Sequence, residues 1–434
     1  MNRRIQLLLA ACLLAASLTT AAAPTAEQRQ QLNQAFSAYQ QQDYRRAHEL
    51  FLPLAQQGDA TAQHSLGLLY AEGEGVPQDY VRARHWFEKA AAQGDAVAQY
   101  NLGVLYNRGL GVTRDYARAR HWFEKAAAQD YADAQYNLGF LYYNGYGVPQ
   151  DYTRARHWYE KAAAQGDAVA QYNLGVLYRQ GLGVPQNYAR ARHWYEKAAA
   201  QGYAAAQQSL GLLYDQGHGV PQDYVRARHW YEKAAAQGLA AAQHNLGVLY
   251  NRGLGVTRDY ARARYWFEKA AAQELTDAQY NLGFLYYKGH GVPQDYVRAR
   301  HWFEQAAAQG YAVAQVGLGV LYAKGRGVPQ DYARARYWFE QAAAQGMAVA
   351  QFNLGVFYEK GLGVTQDYVR AGHWYEKAAA QGYAAAQANL GVLYAKGHGV
   401  SQDYARARYW FEKAAAQGDG PAQSALRLLQ REGH

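Results

Sequence analysis

Residues 95–130 read DAVAQYNLGVLYNRGLGVTRDYARARHWFEKAAAQD, and close copies of this stretch follow one another along most of the chain. A Leu-Gly pair and a Trp each recur every 36 residues. A fixed period of this length is typical of a repeat protein, in which each copy is one supersecondary unit. Counted from Asp59, ten units run to Gly418 (residues 59–418). The tryptophans that mark them are Trp86, Trp122, Trp158, Trp194, Trp230, Trp266, Trp302, Trp338, Trp374 and Trp410.

The composition reflects this repeat and excludes several classes of protein. The 434 residues include 40 Tyr and 43 Gly but a single Cys, Cys12. One cysteine cannot build a disulfide framework, a zinc ribbon or an iron–sulfur site. The hydrophobic share of 50% and the charged share of 18% exclude a disordered polyelectrolyte. The net charge of +9 is spread over the whole chain and forms no polybasic arm.

Each unit predicts two helices. Apolar residues recur at helical spacing in Ala60–Tyr70 and again in Tyr80–Ala92, with a Gly-rich loop at 73–77 between them. Asp79 stands where the second helix begins, and its carboxylate is suited to accept hydrogen bonds from the free backbone N–H groups there. Gly94 follows the second helix and tolerates the left-handed conformation that closes a helix. The predicted fold is therefore all-α.

Three features of the unit predict how the helices pack. Gly67 and its copies lack a side chain, so the two helices of a unit can approach closely. Trp86 and its copies are expected to supply the main buried area, about 150–250 Å² each. Asp130 and Glu274 replace the closing Gly in two units, and those two joints should be strained.

Such a helix pair cannot bury its faces alone, so the units are expected to stack into one continuous solenoid with special ends. Residues 24–58 keep the pattern without Trp and predict a degenerate helix pair that caps the N-terminal end. Residues 419–434 predict a C-terminal capping helix, in which Arg427 replaces the helix-packing Gly.

The N-terminus predicts a cleaved secretory signal over residues 1–23. Met1–Arg4 is positively charged, Ile5–Leu18 is apolar, and Ala21–Ala23 supplies the small residues that signal peptidases prefer. The apolar run is too short to span a membrane, and no transmembrane segment is predicted elsewhere. The expected location is the periplasm or the extracellular space. In an alternative interpretation, the sequence before Cys12 is a bacterial lipobox and Cys12 carries a lipid anchor.

Three motifs together carry a resemblance to a known family. They are AxAQxxLGxxY, as in Ala96–Tyr106, GxGVxxDY, as in Gly109–Tyr116, and AxxWxxxAAAQG. In this combination they resemble the Sel1-like repeat, a tetratricopeptide-like family, over all ten units. The resemblance implies a right-handed α/α superhelical solenoid that serves as a scaffold or adaptor for protein–protein contacts. Some secreted bacterial members are cysteine-rich and have been associated with binding or hydrolysing β-lactams, but this chain lacks their cysteines.

No residue set predicts catalysis, a metal site or a cofactor. A histidine at the position of His85 recurs in seven units, but three units have Tyr there, which indicates a surface ring rather than a metal ligand. The GxGV loops are followed by an acidic cap, which disfavours phosphate binding. The rows of Arg82 and Arg84 are compatible with nucleic acid, but nearby Asp and Glu favour a solvated helix face, so no nucleic-acid partner is predicted.

The candidate binding residues form one stripe of the first helix, facing away from Leu102, Leu105 and Tyr106. In tetratricopeptide relatives this helix lines the concave groove, and the Asn that matches Asn101 contacts bound peptide. Aromatic rings, Asn and basic groups suit an extended peptide, although the aromatics are equally compatible with packing between adjacent first helices. The predicted groove residues are Tyr100, Asn101, Arg108, Tyr136, Asn137, Tyr143, Tyr172, Asn173, Arg179, His244, Asn245, Arg252, Tyr280, Asn281, Tyr287, Phe352, Asn353 and Asn389.

The leading functional hypothesis is an exported, non-enzymatic scaffold that binds a protein or peptide partner along this groove. The alternative is a β-lactam-binding, β-lactamase-like or other cell-wall-related activity, motivated by the secreted relatives. The sequence does not specify which protein is the partner or whether the chain forms oligomers.

Overall fold

The computed structural model describes residues 25–433, which form 23 α-helices and no β-strand. The predicted all-α repeat fold is confirmed. The proposed signal segment at residues 1–23 lies outside the described residues. None of the described helices is both long enough and apolar enough to cross a bilayer.

The helices group into two larger compact bodies, which divide between Gln222 and Asp223 and which we call unit 1 and unit 2. Each 36-residue copy is called a repeat from here on. In unit 1 the helices are α1 (Ala26–Gln40), α2 (Tyr44–Gln56), α3 (Ala60–Glu72), α4 (Tyr80–Ala92), α5 (Ala96–Arg108), α6 (Tyr116–Ala127), α7 (Ala132–Asn144), α8 (Tyr152–Ala164), α9 (Ala168–Gln180), α10 (Tyr188–Ala200) and α11 (Ala204–Gln216).

Unit 2 contains the remaining twelve helices. They are α12 (Tyr224–Ala236), α13 (Ala240–Arg252), α14 (Tyr260–Ala271), α15 (Thr276–Lys288), α16 (Tyr296–Ala308), α17 (Ala312–Lys324), α18 (Tyr332–Ala344), α19 (Ala348–Lys360), α20 (Tyr368–Ala380), α21 (Ala384–Lys396), α22 (Tyr404–Ala416) and α23 (Gly420–Arg431). Within each unit, every helix packs against the next one along the chain.

The acidic caps lie where the sequence predicts them. The Asp79 carboxylate accepts hydrogen bonds from the backbone N–H groups of Val81 and Arg82, at 2.9 and 3.0 Å. Asn187 caps its helix in the same way through Arg190 N–H. The first helix closes at Gly73, whose φ of 73° is the left-handed conformation that glycine adopts without strain.

The helix-packing glycine is explained by the aromatic ring that lies on it. A methyl group at Gly67 would come within 2.5 Å of Phe87 Cδ1, and one at Gly175 within 2.5 Å of Tyr195 Cδ1. These Phe and Tyr rings are almost completely buried. Trp86 is 9% exposed, and the other tryptophans are partly exposed. The residue after each Trp is therefore more completely buried than the Trp itself, a difference that the sequence analysis did not predict.

A ladder of glutamine side chains joins each repeat to the preceding one. Gln99 is 5% exposed and donates to the Ala91 carbonyl at 3.2 Å. Gln129 donates to the Gly94 carbonyl at 2.8 Å and to Gln99 Oε1 at 2.9 Å. The same three bonds recur in unit 2 around Gln243, which donates to the Ala235 carbonyl, while Gln273 donates to the Gly238 carbonyl and to Gln243 Oε1. These amides satisfy carbonyls at the end of a helix that would otherwise lack partners.

The two joints without a closing glycine have the strain expected of them. Asp130 has a φ of 59° and Glu274 a φ of 61°, in the left-handed region that disfavours side chains. The preceding helices, α6 and α14, are each 12 residues long, whereas the second helices of the other full repeats have 13. At both joints the backbone keeps the left-handed conformation that Gly94 adopts in its repeat, although this conformation costs free energy for a residue with a side chain.

Candidate functional site

Within each unit, the predicted groove residues lie on the first helices, and we call the surface that they form the first-helix face of that unit. Arg108 and Arg252 are exposed, and the other sixteen are partly buried. In unit 1 the face comprises Tyr100, Asn101 and Arg108 on α5, Tyr136, Asn137 and Tyr143 on α7, and Tyr172, Asn173 and Arg179 on α9. In unit 2 it comprises His244, Asn245 and Arg252 on α13, Tyr280, Asn281 and Tyr287 on α15, Phe352 and Asn353 on α19, and Asn389 on α21.

The aromatic residues of this face also pack between repeats. The Tyr100 ring lies 5.9 Å from that of Phe123 and 5.1 Å from that of Tyr131, which precedes the next first helix. Tyr280 makes the equivalent contacts in unit 2, with Phe303 at 5.7 Å and Tyr311 at 5.4 Å. Both roles considered from the sequence are therefore compatible with the structure, because each residue packs on neighbouring rings and is still partly exposed.

Burial affects the chemistry of these tyrosines. Desolvation, with a further contribution from the Asp133 carboxylate, raises the pKa of Tyr100 to about 12. Burial likewise raises the pKa of Tyr136 and of Tyr143. All three hydroxyls stay protonated at neutral pH and can act as hydrogen-bond donors.

Most asparagines of the face have partners within the protein. Asn137 Nδ2 donates to the Asp133 carbonyl of its own helix at 2.7 Å, and Asn353 donates to the Val349 carbonyl at 2.7 Å. Asn389 donates to the hydroxyl of Tyr375 at 3.0 Å. These bonds occupy part of the amide, which leaves each side chain with fewer free groups than the sequence alone suggests.

In unit 2, His244 links two asparagines of the face. Its Nε2 lies 2.9 Å from Asn281 Nδ2, and its Nδ1 lies 3.3 Å from Asn245 Oδ1. Burial lowers the pKa of His244, with an opposing contribution from Asp277. Asn101 differs, because within residues 25–433 its amide has no hydrogen-bond partner, and it is the freest amide to bind another chain.

The loops contribute side chains that the sequence analysis did not include. Where the residue between the two loop glycines is aromatic, its ring lies on the first Tyr of the preceding second helix, as Tyr146 does on Tyr116 at 5.1 Å. His218, His290 and His398 make the same contact. Tyr146 also lies 5.9 Å from Phe140, which is on α7 with Tyr136 and Tyr143 of the first-helix face. The face therefore extends onto the loops. The variation of this position among the copies (Glu74, Leu110, Tyr146, Leu182, His218, Leu254, His290, Arg326, Leu362, His398) was the signal that would have found it.

The second helices present a different surface, which carries the repeated His and Arg. The ring of His121 lies exposed beside Trp122 at 5.3 Å, and no group of residues in the described chain is arranged to hold a metal ion. Arg118 pairs with Asp115 at 3.4 Å and Arg120 with Glu124 at 3.5 Å. The pairs recur in most repeats, so much of the charge of the Arg rows is compensated on the same helix.

The sequence model of the Sel1 repeat family matches eleven consecutive segments, which together cover residues 36–419. The chain belongs to the Sel1 repeat family. The matched segments are 36–59, 60–95, 96–131, 132–167, 168–203, 204–239, 240–275, 276–311, 312–347, 348–383 and 384–419.

Two solved structures are similar to this chain over most of its length. One is c5321, a protective antigen present in uropathogenic Escherichia coli strains that displays an SLR fold. It is 37% identical, with a TM-score of 0.87 and coverage of 99% of this chain and 91% of that one. The other is a Sel1 repeat protein from Oxalobacter formigenes, 35% identical, with a TM-score of 0.58 and coverage of 76% and 93%. No curated protein sequence matches the chain. Sel1 repeat proteins are generally non-catalytic scaffolds for protein–protein interaction.

Proposed function

We propose that the protein is an exported, non-enzymatic scaffold that binds a protein or peptide segment along the first-helix face. The observation that carries the proposal is the register of partly buried ring and amide groups on α5, α7 and α9 of unit 1 and on α13 and α15 of unit 2. In unit 1, Tyr100 and Asn101 on α5 are followed by the same pair on α7 and α9. Such a row matches an extended chain, whose backbone amides can bond the Asn groups while its side chains lie against the rings.

Export is proposed from the sequence of residues 1–23. A cleaved signal leaves a mature chain that begins near Pro24, whereas a lipoprotein begins at a lipid-modified Cys12. The intact mass of the protein from an envelope fraction distinguishes these two products. A chain that retains Met1–Ala23 in the cytoplasm would contradict export.

The binding proposal is tested by capture from native envelope extract with the mature protein as bait. The informative variant is Asn101→Ala with Arg108→Ala, since neither side chain has a hydrogen bond that holds the fold. The matched control is His121→Ala with Lys125→Ala, on the second-helix surface of the same repeat. We expect the first variant, and not the control, to lose partners that the wild type captures. An equal loss in both variants, or no enrichment by the wild type, would contradict the proposal.

The β-lactam alternative is tested separately with a chromogenic β-lactam. The described residues offer no catalytic arrangement on which to base this activity, so turnover should not exceed that of a heat-inactivated sample. Turnover above that level would replace the scaffold hypothesis with an enzymatic one.

A further inference from the structure

Unit 2 has a cluster of cations and aromatic rings on the loop side of its first-helix face. It consists of Tyr260, Phe284, Tyr287, Lys288, His290 and Arg326, and we call it the cationic aromatic patch. The His290 ring stacks on Tyr260 at 4.6 Å and lies 6.4 Å from Phe284. The patch therefore joins α15 to the start of α14 and to the loops that follow α15 and α17.

Aromatic groups hold both cations of the patch in place. Lys288 is exposed, and its Nζ lies 5.5 Å from the centre of the Phe284 ring and 5.7 Å from that of Tyr287. Arg326 donates to the Tyr287 hydroxyl at 3.2 Å, and its guanidinium lies 5.3 Å from the centre of the Tyr296 ring. Rings and a neutral hydroxyl orient these charges but do not neutralise them.

Other arginines nearby are paired with carboxylates. Arg298 lies 3.4 Å from Asp295, and Arg300 lies 3.8 Å from Glu304. Within the described part of the chain, no carboxylate forms an ion pair with Lys288 or Arg326. The patch therefore presents uncompensated positive charge beside apolar surface.

Unit 1 contains the same patch without these two cations. Tyr146 stacks on Tyr116 and lies near Phe140, as His290 does with Tyr260 and Phe284. Asn144 replaces Lys288 and donates to the Phe140 carbonyl at 2.9 Å, and Leu182 replaces Arg326. The protein thus carries an internal comparison in which the rings are kept and these two cations are absent. Arg179, which has no counterpart in the patch of unit 2, supplies the nearby positive charge at Tyr143 and Tyr195.

We propose that the cationic aromatic patch binds an extended acidic peptide segment, in which carboxylate and apolar side chains alternate along the one face that contacts the protein. This proposal rests on the proposed scaffold function and specifies the chemistry of the partner. Two carboxylates of the segment pair with Lys288 and Arg326, whose planar guanidinium can take a carboxylate with two hydrogen bonds. The intervening apolar side chains lie on the Phe284 and Tyr287 rings, and aromatic residues of this kind are enriched in interface cores.

The test uses the mature protein and a fluorescein-labelled decapeptide in which pairs of glutamates alternate with pairs of leucines, so that each face of the extended peptide carries both residues. Binding is measured by fluorescence anisotropy. The comparison peptide has glutamine in place of glutamate. We expect the glutamate peptide to bind more tightly, and its affinity to fall as salt is raised. Lys288→Asn with Arg326→Leu, which copies the residues of unit 1, should weaken binding by about fivefold, as expected for two partly exposed ion pairs.

Two further variants make the test specific. Lys377→Asn with Lys413→Asn removes the same charge from second helices of unit 2 and should leave the affinity within about twofold of wild type. Asn144→Lys with Leu182→Arg should create a second site in unit 1, visible as a higher stoichiometry by calorimetry.

The proposal is overturned if the two peptides bind alike, if no binding is measured, or if both charge-removing variants weaken binding equally. Tighter binding of an oligo-dT strand through the same two residues would overturn it in favour of a phosphate ligand. If Asn101→Ala with Arg108→Ala releases a captured partner but the glutamate peptide does not bind, the scaffold function stands and the acidic-segment proposal fails alone.

Discussion

One chemical change, glycine to alanine, should have opposite effects at two positions of the repeat at residues 348–383. A methyl group at Gly355 of α19 would lie 2.5 Å from Tyr375 Cδ1 on α20. The Tyr375 ring is completely buried, and its hydroxyl donates to Glu359 and accepts from Asn389, so the ring has little room to move. At Gly372, also on α20, the nearest atom to the new methyl is Leu393 Cδ1 at 3.6 Å, which is ordinary contact.

The magnitudes follow from these distances. Gly372→Ala should stabilise α20 by about 1 kcal/mol, the difference in helix propensity between the two residues. Gly355→Ala gains the same propensity but must displace a fixed ring, and overpacking of a core costs about 1–3 kcal/mol. We expect a net loss of about 1–2 kcal/mol for Gly355→Ala.

The assay is hydrogen exchange by mass spectrometry on peptides from α19 and α20, together with urea unfolding followed by circular dichroism. Local exchange is needed because repeat arrays unfold in parts, and a single global transition can hide a local change. The backbone amides of α19 and α20 should exchange more slowly in Gly372→Ala and faster in Gly355→Ala than in the wild type. Changes of the same sign in both variants would refute the argument that the ring on the first-helix glycine sets the helix spacing.

Three further predictions concern backbone strain, the glutamine ladder and pH. Glu274→Gly should raise the urea midpoint and increase the free energy of unfolding by about 1 kcal/mol. A φ of 61° is strained for glutamate, whereas glycine adopts it without strain. Gln315→Leu should lower the free energy of unfolding by about 1–3 kcal/mol, because the Ala307 carbonyl and the Gln345 amide each lose a hydrogen bond. Burial lowers the pKa of His64, partly opposed by Asp95. The folded protein therefore resists protonation of His64, and stability that is complete above the unfolded pKa of about 6.5 is lost below it, by up to about 1.4 kcal/mol per pH unit. Urea unfolding at about pH 7 and about pH 5, with His64→Leu expected to reduce the difference, measures this effect.

Each of these predictions has an outcome that contradicts it. An unchanged or lower midpoint in Glu274→Gly would show that the turn is not strained. A neutral Gln315→Leu would mean that the ladder is dispensable in that repeat. If the exposed control His121→Leu reduces the acid sensitivity as much as His64→Leu does, buried His64 is not its source.

The sequence predicts the period, the two helices, the acidic caps and the strained joints, because each depends on residues close together in the chain. It does not distinguish Trp86 from Phe87 as the deeper ring. Both are large aromatic residues on adjacent helical positions, so only the packing distance set by Gly67 decides between them. Periodicity alone could not assign the Gln99 ladder either, because its acceptor carbonyls belong to the preceding repeat.

The candidate site is predictable to a similar degree. Helical spacing predicts that Tyr100 and Asn101 are neighbours on one helix, but it cannot show that Asn137 donates to a carbonyl of its own helix. The contribution of Tyr146 depends on contact with Tyr116, in the preceding repeat. For Asn137 and Tyr146 alike, the sequence predicts where the residue stands in the repeat. It does not predict which group the side chain contacts.

The glutamine ladder has a consequence for the gene. Every repeat offers the next one the same pair of carbonyls, as Ala91 and Gly94 do to the amides of Gln99 and Gln129. Loss or gain of one 36-residue copy would therefore join surfaces that already fit, without any new contact having to evolve. The identical stretches at 107–120 and 251–264 supply matching coding sequence for such exchange. Natural versions of the chain are thus expected to differ in length in steps of one repeat.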